Sequence, residues 1–383
     1  MSLFINLNIS GKDKNMKVKE SKDLGLLFTD NSHKMIGQDG AFSVPLKNKT
    51  LWFFGDTLIG KREPNKSLWF KNGKLIGPED MSEKDGIEKM MNNSGLLAPI
   101  QTGENGLSDY EYICNNDGSL KILLPLTDNE NKDKVRIWCQ HGIYLNNKIY
   151  LSFIKVKMLE SGFLHKNKSE NDFLPVNFEV VGSGLAVGFE KDWKFKRINH
   201  SGENILWGKD VPHFGSSIYY NNRDEYLYFY GAKKDKNGEQ VCHVARVKSD
   251  EIENYAKYEY LIDLQPKWSK DINRSIGIIE KVPSEISVSF NKYLNKYLAI
   301  HSFGLSGKVV ARTSDTPWGI WSEPITLWTE SLEHKMSIPY PKLIYAGKEH
   351  PELSAKNGKI IYITYIEFEE YFPRMIKVTL ENN

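Results

Sequence analysis

The strongest constraint on this chain is a unit that recurs from Leu24 onward: a polar or acidic residue beside glycine or serine, a short apolar strand, a turn, an aromatic-rich second strand, and a third strand with its connector. The hairpins start at residues 39, 141, 213, 285 and 352, led by Asp39, His141, His213, Glu285 and Glu352. Five such meanders predict an all-β chain folded as a five-bladed β-propeller. Radial blades protect their sheet edges and bring their innermost strands to one channel. Two stacked sandwiches would use similar strands, but would not need a polar residue to return at the same place in each repeat. The expected organisation is a single domain over 24–383. The polar, lysine-rich residues 1–23 are expected to form an N-terminal arm or a partial outer strand.

Within the first unit, residues 38–57 read as a complete hairpin with a carboxylate at each foot. Ala41–Leu46 and Leu51–Gly55 are its apolar runs, and residues 47–50 have turn composition. A two-residue turn at Asn48 and Lys49 would set Asp39 opposite Leu58 and Ala41 opposite Asp56. The two aspartates would then be diagonal neighbours on one face. Carboxylates held that close have their proton affinities driven apart, which is what acid/base chemistry requires.

Charge excludes other classes. The 51 basic and 49 acidic side chains nearly cancel, and a net charge of +2 offers no footprint for nucleic acid or an anionic membrane. The expected partner is a glycan or oligosaccharide, met by a monomer. Three cysteines, Cys114, Cys139 and Cys242, give no disulfide framework. The first residues match neither a signal peptide nor a membrane span, so a cytoplasmic location is expected unless a leader was removed.

If the repeats are blades, Asp39, His141, His213, Glu285 and Glu352 meet at one end of the channel and Asp56 joins them from the opening hairpin. Like charges are costly to bury together, so such a gathering points to a site rather than to stability. Two carboxylates across a cleft hydrolyse a glycosidic bond when one protonates the leaving oxygen and the other activates water or attacks the anomeric carbon. No organic cofactor is needed. The histidines are suited to orienting a hydroxyl, tuning a carboxylate or joining a divalent cation in the central channel, although no compact metal motif is present. A carbohydrate-binding or protein-interaction propeller that kept the cleft without the chemistry is the alternative. Arg246, Arg312 and Arg374, on three third strands, raise a sialidase-like triad, against which strand alternation would send them to solvent.

At Gly37-Gln38-Asp39-Gly40, Trp52-Phe53-Phe54-Gly55-Asp56-Thr57 and Asn92-Asn93-Ser94, the chain resembles a group of bacterial five-bladed propellers first catalogued as a domain of unknown function. Some members are similar to endo-D-arabinanases, and the fold resembles that of the arabinanase, xylosidase and levansucrase clan. Pro212-His213-Phe214-Gly215-Ser216, residues 311–324 and His350-Pro351-Glu352-Leu353-Ser354 extend the likeness over nearly the whole chain. The resemblance implies a glycoside hydrolase acting on a furanose-containing, arabinan-like glycan, with Asp39 and Asp56 as its catalytic carboxylates. That clan has an aspartate in the second blade and its acid glutamate in the third, where this chain has His141 and the His213–Ser216 turn. Glu285 and Glu352 are therefore the remaining candidates for the acid, and Asn93, His141, His213 and His350 are the expected sugar-binding side chains.

Overall fold

The computed structural model describes residues 16–29, 31–71, 74–75, 86–104, 106–159, 178–200, 202–334, 338 and 340–382. Among these the secondary structure is strand, with short 3-10 turns and no α-helix. Five antiparallel sheets of four to six strands follow one another along the chain. Their first strands are Phe42–Pro45, Val135–Leu145, His213–Asn221, Ile286–Asn291 and Ile344–Glu349, each at one edge of its sheet.

These five first strands lie beside one another in chain order. They are joined by side chains rather than by ladders. The Ile218 N–H donates to His141 Nδ1 (3.2 Å), the Val288 N–H to Ser217 Oγ (3.1 Å) and the Glu349 N–H to Ser287 Oγ (2.7 Å). Ser43 Oγ meets His350 Nδ1 at 2.6 Å, which links the last sheet back to the first. Small polar residues thus satisfy the inward backbone groups that a dry core would leave unpaired. Apolar clusters fill the spaces between neighbouring sheets: Phe42, Leu51, Phe53, Ile149 and Phe153 between the first and second, and Leu298, Ile300, Ile361 and Ile363 between the fourth and fifth.

Three departures from the sequence expectation bear on the site. The opening hairpin turns at Lys47 and Asn48, with Val44 opposite Leu51 and the Leu46 N–H donating to Lys49 O at 2.8 Å. The register moves by two residues, a step that leaves every side chain on its expected face and is therefore invisible to hydrophobic alternation. In the second sheet the first strand begins at Val135, and His141 sits in a bulge between Cys139 and Gly142 instead of at the head. In the fifth sheet the first strand is Ile344–Glu349, whereas His350-Pro351-Glu352 follows it as a 3-10 turn. Met16–Leu26 pairs along Pro373–Asn382 as the outermost strand of the fifth sheet. Its three lysines, with Glu20 and Asp23, are those of a solvent-facing edge.

Candidate active site

Asp39 and Asp56 are placed by a kink. The long hairpin is interrupted between the strand pair Phe42–Pro45 and Lys49–Phe54 and a smaller pair, Met35–Gln38 and Thr57–Gly60. At the break the Asp39 N–H donates to Asp56 O (3.0 Å) and the Gly55 N–H to Asp39 O (2.9 Å), so the two aspartates are directly opposite rather than diagonal. Gly40 (φ 81°) and Ala41 (φ 60°) carry the bend in the left-handed region. A Cβ at position 40 would also meet Cys139 Sγ at 3.1 Å. Bulges recur in the first strands of the second, third and fifth sheets, at Cys139–Gly142, Phe214–Ser217 and Tyr345–Lys348. Bulges re-aim side chains, and here they flank a common cleft.

That cleft, of about 440 Å³, is lined by Asp39, Asp56, Glu285 and His213, with Tyr345 and Tyr371 beside them. Asp39 accepts from the Gly40 N–H (2.6 Å) and from the hydroxyls of Tyr345 and Tyr371. Desolvation nonetheless dominates and raises Asp39 to about 6. Asp56 is buried, and its Oδ2 accepts from the Trp138 indole at 3.0 Å. Glu285 stands immediately before the fourth sheet's first strand. Burial, reinforced by the charge of Asp39 and opposed by Lys348, raises it to about 7. His213 is held neutral by burial, and its Nε2 has no hydrogen-bond partner among the described residues. Much of the remaining wall is apolar, with Trp138 edge-on against Phe178 (4.7 Å) and Trp69 stacked on Phe368 (5.2 Å), while Ser216, Lys234, Glu239, Gln240, Lys281 and Ser284 add polar groups.

Other expected site residues lie away from this cleft. Glu352 is in the turn after the fifth sheet's first strand, where the Ser43 hydroxyl bonds its carboxyl. His350 is fully buried, with Nδ1 on Ser43 Oγ (2.6 Å), Nε2 on Thr364 Oγ1 (2.7 Å) and its ring against Trp52. Its two nitrogens are thus engaged within the fold. His141 uses Nδ1 to accept the Ile218 N–H, and burial lowers it to about 4. Asn93 is also fully buried: it donates to Leu124 O and accepts from the Leu124 N–H, both at 2.9 Å. Asn93→Ala would strand both backbone groups and is expected to cost about 1–3 kcal/mol of stability. Urea unfolding of wild type and variant measures this, and an unchanged midpoint contradicts it.

No group of three or more His, Cys, Asp or Glu among the described residues converges to hold a metal ion. His350, one of the histidines considered for a divalent cation from the sequence, has both ring nitrogens engaged, by Ser43 and Thr364. The arginines do not form a triad either. Arg246 pairs with Glu259 (2.8 Å), Arg312 donates to Ser322 O (2.9 Å), and Arg374 binds Glu370 and Asp23.

Four side chains of the site carry no motif. Tyr345 heads the fifth sheet's first strand, a place the sequence reading gave to Glu352. Tyr371 reaches Asp39 from the loop between the last two strands of the chain, over which Gly37 packs so closely that a Cβ there would meet Tyr371 Cδ1 at 2.9 Å. Trp138 and Lys348 come from strand interiors. The one available signal was the apolar run Leu343-Ile344-Tyr345 preceding Lys348, itself of strand composition.

Comparison with known proteins places the chain. A family model described as "Domain of unknown function (DUF4185)" matches residues 13–377. No curated protein matches. Among solved structures, a protein of Bacteroides ovatus ATCC 8483, provisionally described as a hydrolase, is 16% identical. It aligns over 91% of this chain and 87% of its own with a TM-score of 0.58, a likeness of fold. RS223 β-xylosidase (13% identity, 94% of each chain) and the GH43_1 enzyme from Xanthomonas citri complexed with xylotriose (12% identity, 94% of this chain and 89% of that one) are more distant, each with a TM-score of 0.48.

Proposed function

The chain belongs to the DUF4185 family of domains of unknown function, and from its cleft we propose that it is a glycoside hydrolase that cleaves a furanose-containing, arabinan-like glycan with two carboxylates and no organic cofactor. The observation that carries this reading is the meeting of Asp39, Asp56 and Glu285 in one largely apolar cleft. The five sheets are taken as five blades around a channel. Support comes from the order of their first strands and from the Ser43–His350 link between the last and the first. The furanose preference and endo action rest on the resemblance of the Gly-Asp-Thr hairpin to the arabinanase-like propellers.

In this mechanism Glu285 is the general acid. Its apolar setting keeps the proton on at neutral pH, ready for the departing glycosidic oxygen. Asp39 is the general base or nucleophile. Its ionised form is held by three donors, which fix its direction toward the anomeric carbon or the attacking water. Asp56, oriented by Trp138, is the charged neighbour that stabilises positive charge developing on the sugar ring. His213 and the aromatic walls bind sugar hydroxyls and C–H faces.

Asp39 must be ionised and Glu285 protonated, so activity rises through about 6 and falls through about 7. A narrow bell-shaped kcat/KM profile with its maximum between those limits is the expected result. A plateau extending into alkaline pH would contradict the assignment of the acid. The function itself is tested by reducing-end release from arabinans, fructans, xylans, sialosides and bacterial cell-wall glycans. Release from a furanose polymer is expected. Retention without turnover on every member would instead make the protein a binding module.

A further inference from the structure

Lys348 is buried in the wall behind the cleft, and the reaction proposed above gives it no role. Its side chain is 1% exposed, an expensive place for an ammonium. It is fully provided for. Nζ donates to Gly40 O and to Ala346 O (2.6 Å) and lies 4.4 Å from the centre of the Phe42 ring. Gly40 is the residue that bends the chain directly after Asp39, and Ala346 (φ 56°) lies in the bulge that turns Tyr345 toward the same carboxylate. One ammonium therefore ties together the two distorted segments that aim Asp39.

The groups around this charge come from every neighbouring element. Asp39 is on the opening hairpin, Cys139 and His141 are on the second sheet, Glu285 precedes the fourth, and His350 follows on its own strand. The histidines are held neutral, and Lys348, lowered by burial to about 8, is the buried cation behind the two carboxylates, while Lys234 and Lys281 line the cleft itself. Resting on the glycosidase reading, we propose that Lys348 is a positioning residue that holds the Asp39–Ala41 kink and supplies the built-in counter-charge for the Asp39–Glu285 pair. A lysine serves here because a single Nζ reaches both carbonyls while its stem covers the Phe42 face.

The test is a 13C titration of the carboxyl carbons without substrate, with Asp39 and Glu285 assigned from their loss in Asp39→Asn and Glu285→Gln. In Lys348→Gln, which keeps an N–H donor and removes the charge, both midpoints should rise by about one pH unit. The acidic limb of kcat/KM should move with Asp39, a change that a structural role alone would not produce. Unaltered midpoints in a folded Lys348→Gln protein would overturn the proposal. If that variant does not fold, the wild type decides. Both carboxyl resonances should show a second inflection as Lys348 titrates near 8, and a single step in each would overturn the proposal. Because the titration needs no turnover, a shift in a protein that cleaves no glycan would refute the glycosidase reading and leave the Lys348 pairing standing.

Discussion

Asp39→Asn is expected to lower kcat/KM on a cleavable glycan by about a thousandfold or more, with fold and glycan retention preserved. The amide can still accept the Gly40 N–H, and the hydroxyls of Tyr345 and Tyr371 can rotate to meet an amide as readily as a carboxylate. The kink is held independently by the Asp39 and Asp56 backbone bonds and by Gly40 and Ala41 in the left-handed region. What disappears is the negative charge and the lone pair that accept a proton or attack carbon. The variant should therefore unfold at the wild-type denaturant concentration or slightly above it, since a carboxyl raised to about 6 by burial no longer has to ionise in the native state. The sign follows from linkage. A raised carboxyl favours the folded state at low pH and loses that contribution as pH rises through its folded value. The comparison is made by single-turnover rates together with urea titration at pH 7. A folded variant with wild-type turnover would remove Asp39 from the chemistry.

Glu285→Gln should show the second large effect, and one of a different kind. On a glycan with an unactivated alcohol leaving group the rate should drop by about a hundredfold or more, while on an aryl glycoside with an acidic phenol it should return close to wild type. Protonation helps only a leaving group that needs it. Asp39→Asn should remain severe on both substrates. Asp56→Asn should also fail to recover, because Asp56 is assigned to stabilising ring charge rather than to proton donation. Recovery of Asp56→Asn with continued failure of Glu285→Gln would exchange the two roles. It would put the acid on the same hairpin as the base. Glu352→Gln should be close to neutral on either substrate, because its carboxyl faces Ser43 after the fifth sheet's first strand and does not line the cleft.

Much of this arrangement was legible in the sequence, for identifiable physical reasons. Hairpins with apolar second strands, such as Leu51–Phe54 and Leu298–Ile300, declare themselves by composition, and Asp39, Asp56 and Glu285 stand at the ends of apolar runs, where a carboxylate has no packing reason to be. Register was less legible. A two-residue shift keeps parity, so only the turn distinguishes Asp39 opposite Asp56 from Asp39 diagonal to it. The fifth sheet was misread because Ile344–Glu349 contains a bulge, a glycine and two charged residues, which erase the period of two, whereas His-Pro-Glu just after it imitates a polar strand head. His141 was misplaced for the same reason, a bulge within a long strand. Asn93 looked like a site residue by its motif. Its amide is spent on the backbone of Leu124, a partner 31 residues away that no local pattern reveals. Tyr371 and Lys348 are tertiary facts of the same type, since each is brought to Asp39 from more than 300 residues along the chain.

In the proposed reaction water, directed by these carboxylates, breaks the bond between an anomeric carbon and a glycosidic oxygen. Digestion of an arabinofuranose polymer in 18O-labelled water tests it most directly, with the products weighed by mass spectrometry soon after release and corrected for exchange in the same oligosaccharides incubated alone. One heavy oxygen is expected at the reducing end of each newly released chain, and no labelled chains when Asp39→Asn replaces the wild type. Chains released without label, or a polymer that stays bound and intact across the pH range, would contradict it.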